Sequence, residues 1–185
     1  HGTVTLLTES MSSEITSFCV GGEYWDFCRP SGVTFTVELM EDVRRRDFTV
    51  NALCWGRKGL IDYVGGVCDL DARLIRCVGE PDARFQEDAL RILRALRFSS
   101  QLDFDIHPDT AAAVKRRRGL LVRIAAERIQ QELKKLMAGP RAERVLAGYQ
   151  DVFCAFLPEL AALNEDQWAR ASRRAARVKG FAAGL

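Results

Sequence analysis

The sequence is poor in the residues that hold transition metals. Its 185 residues include two histidines and six cysteines, and no two cysteines have the C-x-x-C spacing. Because zinc sites need clustered thiolates and imidazoles, this set argues against a zinc protein. No apolar run reaches about 18 residues and no signal peptide is recognisable, so we expect no membrane partner and reduced thiols in a cytoplasmic protein.

The sequence also lacks an excess of charge of one sign. It has 27 Lys and Arg against 25 Asp and Glu, a net charge of +2. A polyanion-binding surface must therefore come from local clusters, of which there are three: Arg44 to Arg46, Lys115 to Arg118, and Arg170 to Lys179. A hydrophobic content of 48% excludes a disordered chain and predicts one domain or two small ones.

The first eighty residues predict strands followed by a short helical stretch. The runs GTVTLLT, SSEITSF and VTFTVEL are rich in β-formers, and Val33 to Leu39 alternate strictly. GGEYWDFCRPSG, between the last two runs, predicts a long loop. The pattern from Glu41 to Trp55 predicts a helix with Asp47 as a plausible N-cap, and Leu74 to Val78 predict a closing strand.

The remainder of the chain has a helical pattern. After Pro81, Ala, Leu, Arg and Glu recur at 3.6-residue spacing, with breaks at Pro108, Gly119, Gly139-Pro140 and Pro158. The sequence as a whole therefore predicts an α+β protein in which a mixed α/β part precedes an all-helical part.

The run RFQEDALRILRALRF predicts one continuous helix with two distinct faces. Asp88 and Arg91 lie one turn apart, so an acceptor and a donor fork could together bond the edge of a nucleobase. Such pairs also occur as solvated ion pairs, and that interpretation stays open. The opposite face is apolar and is expected to pack into a core; it comprises Phe85, Ala89, Ile92, Leu93 and Leu96.

This run is the last of three segments that occur in a characteristic order. The chain resembles the class II tRNA nucleotidyltransferase and bacterial poly(A) polymerase family, whose best-known members are CCA-adding enzymes. The segments that carry the resemblance are, in order, EDVRRRDFTVNAL, LIDYVGGVCDLDARLIRCVGEP and EDALR. The resemblance extends from His1 to about Leu160. It implies a partial polymerase-β-like nucleotidyltransferase head, a mixed sheet with helices, at 1–80; a helical neck at 81–148; and the start of a helical body at 149–185.

The resemblance also implies an activity and its reactants. In its complete form such a protein adds CMP and AMP from CTP and ATP to the tRNA 3′ end, without a template and with Mg²⁺. A poly(A) polymerase or an A-adding enzyme of the same family is the alternative. A non-catalytic RNA-binding module, gripping phosphate with Lys115 to Arg118 and Arg170 to Lys179, is a second one.

Individual roles follow from the same resemblance. In RRDFTVN, Arg46, Asp47 and Asn51 correspond to the ribose and triphosphate contacts, although Asp47 could instead be a helix cap bridged to Arg45 or Arg46. In EDALR, Asp88 and Arg91 correspond to the base selectors. The implied supporting residues are Glu87, Arg94, Glu127 and Arg128.

The carboxylates that bind metal in the family are mostly missing from this sequence. The family's D-x-D pair belongs upstream of His1, and no Asp-x-Asp in the chain stands in its place. Glu14 corresponds to the third carboxylate and is a candidate metal ligand. Since one carboxylate cannot assemble a two-metal site, we expect the chain as given to select nucleotides without catalysing transfer.

Overall fold

The computed structural model describes residues 3–7, 11–21 and 33–177. Strand β1 (Thr3–Leu7) pairs antiparallel with β2 (Ser12–Thr16), as the sequence pattern predicts. Strand β3 (Cys19–Gly21) pairs with β4 (Val33–Phe35). The strand predicted to reach Leu39 is wrong beyond Phe35, because Val37 is 90% exposed and Leu39 already begins a helix. The predicted loop lies mainly outside the described residues.

The segment after β4 begins as a helix and then becomes extended. Helix α1 (Leu39–Arg44) is followed by a 3₁₀ turn at Thr49–Asn51 and by a hairpin of β5 (Cys54–Gly56) and β6 (Gly59–Ile61). The prediction of one helix to Trp55 is therefore wrong.

Pairing with a segment distant in sequence, residues 76 and 77, explains this interruption. The Thr49 N–H donates to the Arg76 carbonyl at 2.9 Å, and Phe48 forms a β-bridge with Cys77. Phe48 accordingly has an extended backbone, with φ −128° and ψ 149°, where the sequence pattern predicts a helical one. Tertiary pairing decides between the two.

The head ends with a short helix and strand. Helix α2 (Gly66–Asp71) starts after Gly65, whose φ of 77° explains the glycine at that turn. Strand β7 (Leu74–Ile75) pairs in parallel with β8 (Asp105–Ile106), which lies among the later helices. The predicted closing strand is thus present but shorter than Leu74 to Val78.

Helices make up most of the rest, which confirms the α+β class. Pro81, Pro108 and Pro158 stand at helix starts, where the missing N–H costs nothing. The α-helices are α3 (Pro81–Glu87), α4 (Leu90–Leu102), α5 (Pro108–Arg117), α6 (Ala126–Met137), α7 (Ala142–Gly148), α8 (Gln150–Phe156) and α9 (Glu165–Arg177), with 3₁₀ segments at Arg118–Arg123 and Pro158–Ala162.

The core is built around α4, which packs along α6 and against α7. The apolar face predicted for this region is confirmed, since all five of its residues are fully buried. Just after the end of α6 the backbone approaches that of α4 closely, since an added Cβ on Gly139 would lie 2.6 Å from the Ser100 carbonyl oxygen. Ser100 Oγ also donates to the Leu136 carbonyl at 2.7 Å, so a larger residue has no room there.

The continuous helix predicted from Arg84 to Phe98 is interrupted. Helix α3 ends at Glu87, and Asp88 has an extended backbone with φ −143° and ψ 104° before α4 begins at Leu90. The Asp88 carboxylate accepts the Leu90 N–H at 3.0 Å, as an N-cap residue does, and this bond competes with continued helix.

In the described part of the chain no helix is long and apolar enough to cross a bilayer.

Candidate functional site

Asp47 is the centre of the first half of the site. Its side chain is 6% exposed, and Oδ1 accepts the Phe48 N–H at 2.9 Å and Asn51 Nδ2 at 3.1 Å. Oδ2 accepts Arg94 Nε at 2.7 Å and Nη2 at 2.5 Å. The expectation that Asp47 caps an α-helix is wrong, because its carboxylate instead joins the 3₁₀ turn to α4.

The arginines before Asp47 bond a different carboxylate. Asp42, which is 3% exposed, pairs with Arg45 and accepts Arg46 Nη2 at 3.1 Å. Arg46 Nη1 also donates to the Asn51 carbonyl at 3.2 Å. The alternative in which Arg45 or Arg46 bridges to Asp47 is therefore wrong. Arg46 stays 31% exposed, so its guanidinium can still reach an anion.

Asp88 and Arg91 form the second half, at the junction of α3 and α4. They lie within one turn, since the Arg91 N–H donates to the Asp88 carbonyl at 3.0 Å. Asp88 Oδ2 pairs with Arg128 of α6 at 3.1 Å, while Oδ1 bonds Leu90. Each carboxylate oxygen thus has one described partner and retains a further lone pair.

Arg91 is part-buried and is held by three hydrogen bonds from its guanidinium to the protein around it. Nη1 donates to Glu87 Oε2 at 2.7 Å and to the Arg84 carbonyl at 3.3 Å, and Nη2 donates to the Arg45 carbonyl at 2.8 Å. Its side chain is 11% exposed. Three of its five N–H donors are used within the described residues, leaving Nε–H and one Nη2 hydrogen for another molecule.

Glu87 holds two arginines at once. Oε1 pairs with Arg84 and Oε2 with Arg91, while Arg84 Nη1 donates to the Arg44 carbonyl at 3.0 Å. Together Arg84, Glu87 and Arg91 form what we call the clasp, which bonds the last carbonyls of α1. Guanidinium groups at a helix C-terminus satisfy its free carbonyls and complement its dipole.

The clasp residue Arg84 is a site residue that sequence reasoning missed. The signal was present: Arg84, Glu87 and Arg91 stand at i, i+3 and i+7, the spacing of a helical face. Among the predicted supporting residues, Glu87, Arg94 and Arg128 contact Arg91, Asp47 and Asp88 as described above. Glu127 is exposed and has no described side-chain partner.

A buried ion pair lies behind these groups. Arg97 Nε of α4 lies 2.9 Å from Glu132 Oε2 of α6, and both side chains are about nine-tenths buried. Burial lowers the pKa of Arg97, and Glu132 opposes that shift. The Arg97 guanidinium also lies 4.0 Å from the ring centroid of Phe98, which contacts Phe48 edge to face. These contacts fix α4 against both α6 and the Asp47 turn.

A metal centre cannot be assembled from the described residues alone. In residues 3–7, 11–21 and 33–177, no three His, Cys, Asp or Glu side chains are grouped closely enough to hold an ion. Glu14 is placed by its backbone in β2, opposite Thr5, and its metal-binding role stays a prediction. A two-magnesium centre therefore does not fit these residues by themselves.

Two protein-family models together match most of the chain. Residues 1–76 match the "Poly A polymerase head domain" model, and residues 103–163 match the "Probable RNA and SrmB- binding site of polymerase A" model. The CCA-adding enzyme of Bacillus licheniformis is 50% identical over 147 residues, which cover 79% of this chain and 37% of that protein. That of Geobacillus thermodenitrificans is 45% identical over 172 residues, which cover 92% and 42%.

Solved structures have the same fold. The Bacillus stearothermophilus CCA-adding enzyme in complex with CTP matches with a TM-score of 0.79 at 40% identity, over 95% of this chain and 42% of that one. The Thermotoga maritima CCA-adding enzyme complexed with tRNA matches with a TM-score of 0.67 at 28% identity, over 85% and 36%. The chain thus spans less than half of each of these relatives.

Proposed function

Because this chain belongs to the class II tRNA nucleotidyltransferase and bacterial poly(A) polymerase family, we propose that it selects the nucleotide for template-independent addition of CMP and AMP to the tRNA 3′ end. In the complete protein, CTP and ATP are the substrates and Mg²⁺ assists transfer in the cytoplasm. The division into head at 1–80, neck at 81–148 and body from 149 is part of this proposal. So is the absence of catalysis by the chain as given.

One observation carries the proposal: two motifs distant in sequence are bonded to each other. The Asp47–Arg94 pair and the bond from Arg91 to the Arg45 carbonyl join RRDFTVN to EDALR. A nucleotide bound here could touch both with its sugar and its base. A relative at 40% identity has been solved with CTP, and another at 30% with primer tRNA and an incoming ATP analogue, which supports the same assignment here.

The chemistry of the remaining donors and acceptors suits cytosine and adenine. Asp88 can accept from an exocyclic amine, and Arg91 can donate its free hydrogens to O2 and N3 of cytosine or N1 of adenine. Uracil and guanine carry a carbonyl where Asp88 needs a donor. A good bidentate contact discriminates by about 1–3 kcal/mol, so a fivefold to 150-fold preference is within reach.

The sugar and phosphates have partners on the other side. Asn51 donates its amide N–H to Asp47, which leaves the amide oxygen to accept a ribose hydroxyl. Arg46, part-exposed beside it, supplies a guanidinium for the triphosphate. Asp47, held by Arg94 and the Phe48 N–H, keeps this turn in place.

Equilibrium titration of the chain with the four ribonucleoside triphosphates tests the proposal. We expect ATP and CTP to bind at least fivefold more tightly than GTP and UTP. Arg91→Lys should remove most of that preference, because lysine retains the charge but not the fork. Arg144→Lys is the matched control, since Arg144 is 70% exposed and distant in sequence from both motifs. Equal binding of all four nucleotides by the unmodified chain would overturn the proposal.

The same titration separates the two family activities. The family description of residues 1–76 names poly(A) polymerase, and the Asp88 and Arg91 chemistry accepts adenine as well as cytosine. Binding of both ATP and CTP supports CCA addition. Binding of ATP with CTP rejected would favour a poly(A) polymerase or an A-adding enzyme.

A further inference from the structure

A chain of polar contacts holds the 3₁₀ turn that follows Asp47. Thr49 Oγ1 donates to Asp69 Oδ2 at 2.7 Å, and both residues are buried. The Asp69 carboxylate accepts Arg76 Nε, at 3.1 Å on Oδ1 and at 3.0 Å on Oδ2. The Arg76 carbonyl also accepts the Thr49 N–H at 2.9 Å. Arg76 therefore supports the turn through both its backbone and its side chain.

The outer end of this chain is His107, the residue before α5. Arg76 Nη1 lies 2.8 Å from His107 Nε2. A guanidinium has no acceptor, so Nε2 accepts this bond, and the imidazole is neutral with its proton on Nδ1. The His107 N–H donates to the Ile75 carbonyl at 3.0 Å, which fixes the backbone of the histidine beside Arg76. His107 thus joins the start of α5 to the support of the turn.

The bond to His107 restricts a side chain that has room to move. The Arg76 side chain is 41% exposed and lines a cavity of about 310 Å³. Glu80 and Asp109 line the same cavity, so a guanidinium released from His107 has other carboxylates to attract it. Such a movement would weaken its bond to the buried Asp69.

We infer that His107 is a positioning residue for ribose recognition. Its imidazole fixes the Arg76 guanidinium, and Arg76 supports the turn. That turn carries Asn51, whose side-chain amide donates to Asp47 at 3.1 Å. The inference rests on the proposed function, in which the Asn51 amide oxygen accepts a ribose hydroxyl. Loss of the support should therefore weaken the preference for ribonucleotides over deoxyribonucleotides.

Base selection should not depend on His107. Asp88 and Arg91 lie at the junction of α3 and α4, where Arg91 bonds the Arg45 carbonyl and Asp88 bonds Arg128. These contacts are separate from the chain that ends at His107. A loss confined to sugar recognition therefore distinguishes a positioning role from a general loss of structure.

Two amides of different length test the inference. Glutamine places an amide oxygen near the position of imidazole Nε2, whereas asparagine reaches only about as far as Nδ1. His107→Gln should therefore keep the bond to Arg76, and His107→Asn should lose it. Asparagine is a favoured residue before a helix, so His107→Asn should begin α5 at least as well as histidine does.

Equilibrium titration of the chain with CTP, dCTP and UTP gives the readout. We expect His107→Asn to lower the preference for CTP over dCTP by about threefold to tenfold, the effect of one hydrogen bond, and His107→Gln to retain it. The preference for CTP over UTP should stay unchanged in both variants. Asp109→Asn is the matched control, because Asp109 is 82% exposed and lies 3.8 Å from Nδ1, the other nitrogen of the ring.

A second background shows whether His107 acts through Arg76. In Arg76→Met, the further change His107→Asn should have no effect on the CTP and dCTP affinities. An unchanged preference for CTP over dCTP in His107→Asn, or an equal loss in His107→Gln, would overturn the inference. So would an unmodified chain that binds CTP and dCTP alike. Absence of a preference for CTP over UTP in the unmodified chain would instead contradict the proposed base selection, while the comparison of CTP with dCTP still tests His107.

Discussion

Replacing Arg94 by Met should destabilise the protein through the loss of one buried charge partner. Met keeps most of the packing, including the side of Phe98 that the Arg94 guanidinium faces at 5.4 Å. Asp47, 6% exposed, then keeps only the Phe48 N–H and the Asn51 amide. The substitution therefore isolates the contribution of the guanidinium to holding a carboxylate that is out of contact with water.

The magnitude follows from the burial of both partners. Removing one member of a fully buried pair costs about 3–5 kcal/mol. Arg94 is 29% exposed and Asp47 retains two N–H donors, so about 2–3 kcal/mol is expected here. With a slope of about 2 kcal/mol per molar urea, the midpoint of urea unfolding should fall by about 1–1.5 M.

Urea unfolding of a double-mutant cycle is the assay. Asp47→Asn, Arg94→Met and the double variant should give a coupling energy of about 2 kcal/mol. Arg144→Met is the matched control, because Arg144 and its partner Asp105 are 70% and 63% exposed, and it should cost less than about 0.5 kcal/mol. If Arg94→Met cost no more than this control, the pair would not hold the two motifs together.

Three further predictions concern packing, pH and thiol reactivity. Gly139→Ala should cost about 1–3 kcal/mol because its Cβ would collide with the Ser100 backbone, whereas Gly148→Ala, with nothing within 4 Å, should be neutral or stabilising in thermal unfolding. Hydrogen bonds from Arg116 and Arg117 lower the pKa of Asp82 from its ordinary value of 3.8, so this carboxyl binds fewer protons in the folded state than in the unfolded state. The stability that the ionised carboxylate contributes should therefore be lost as the pH falls below about 3.8. Asp82→Asn should weaken this dependence of the free energy of unfolding on acid pH, which unfolding measured at several pH values would show. Burial raises the pKa of the Cys77 thiol to about 12, so iodoacetamide should alkylate the exposed Cys68 well before Cys77 in peptide mass spectra; labelling of Cys77 as early as Cys68 would contradict its burial.

Sequence periodicity was a reliable guide where burial follows the period of an element. The apolar residues from Phe85 to Leu96 are all in the core. Apolar residues spaced three or four apart lie on one side of a helix, and both helices here turn that side to the core. The prolines at 81, 108 and 158 likewise mark real helix starts.

Periodicity failed where a polar side chain or a distant strand determines the backbone. Asp88 interrupts the expected helix because its carboxylate bonds the Leu90 N–H, and no pattern of apolar residues encodes that competition. The helix predicted from Glu41 to Trp55 breaks at Phe48, which is extended because it forms a β-bridge with Cys77. The Asp47–Arg94 pair spans 47 positions, so only the folded chain reveals it.

The most direct test of base selection compares CTP with an analogue in which hydrogen replaces the exocyclic amine. The account predicts that the unmodified chain binds the analogue at least fivefold more weakly, and that Asp88→Asn, whose amide can donate as well as accept, narrows this difference and gains affinity for UTP through its amide N–H. Equal affinity of the unmodified chain for CTP and the analogue would contradict the central claim that Asp88 reads the amine beside Arg91.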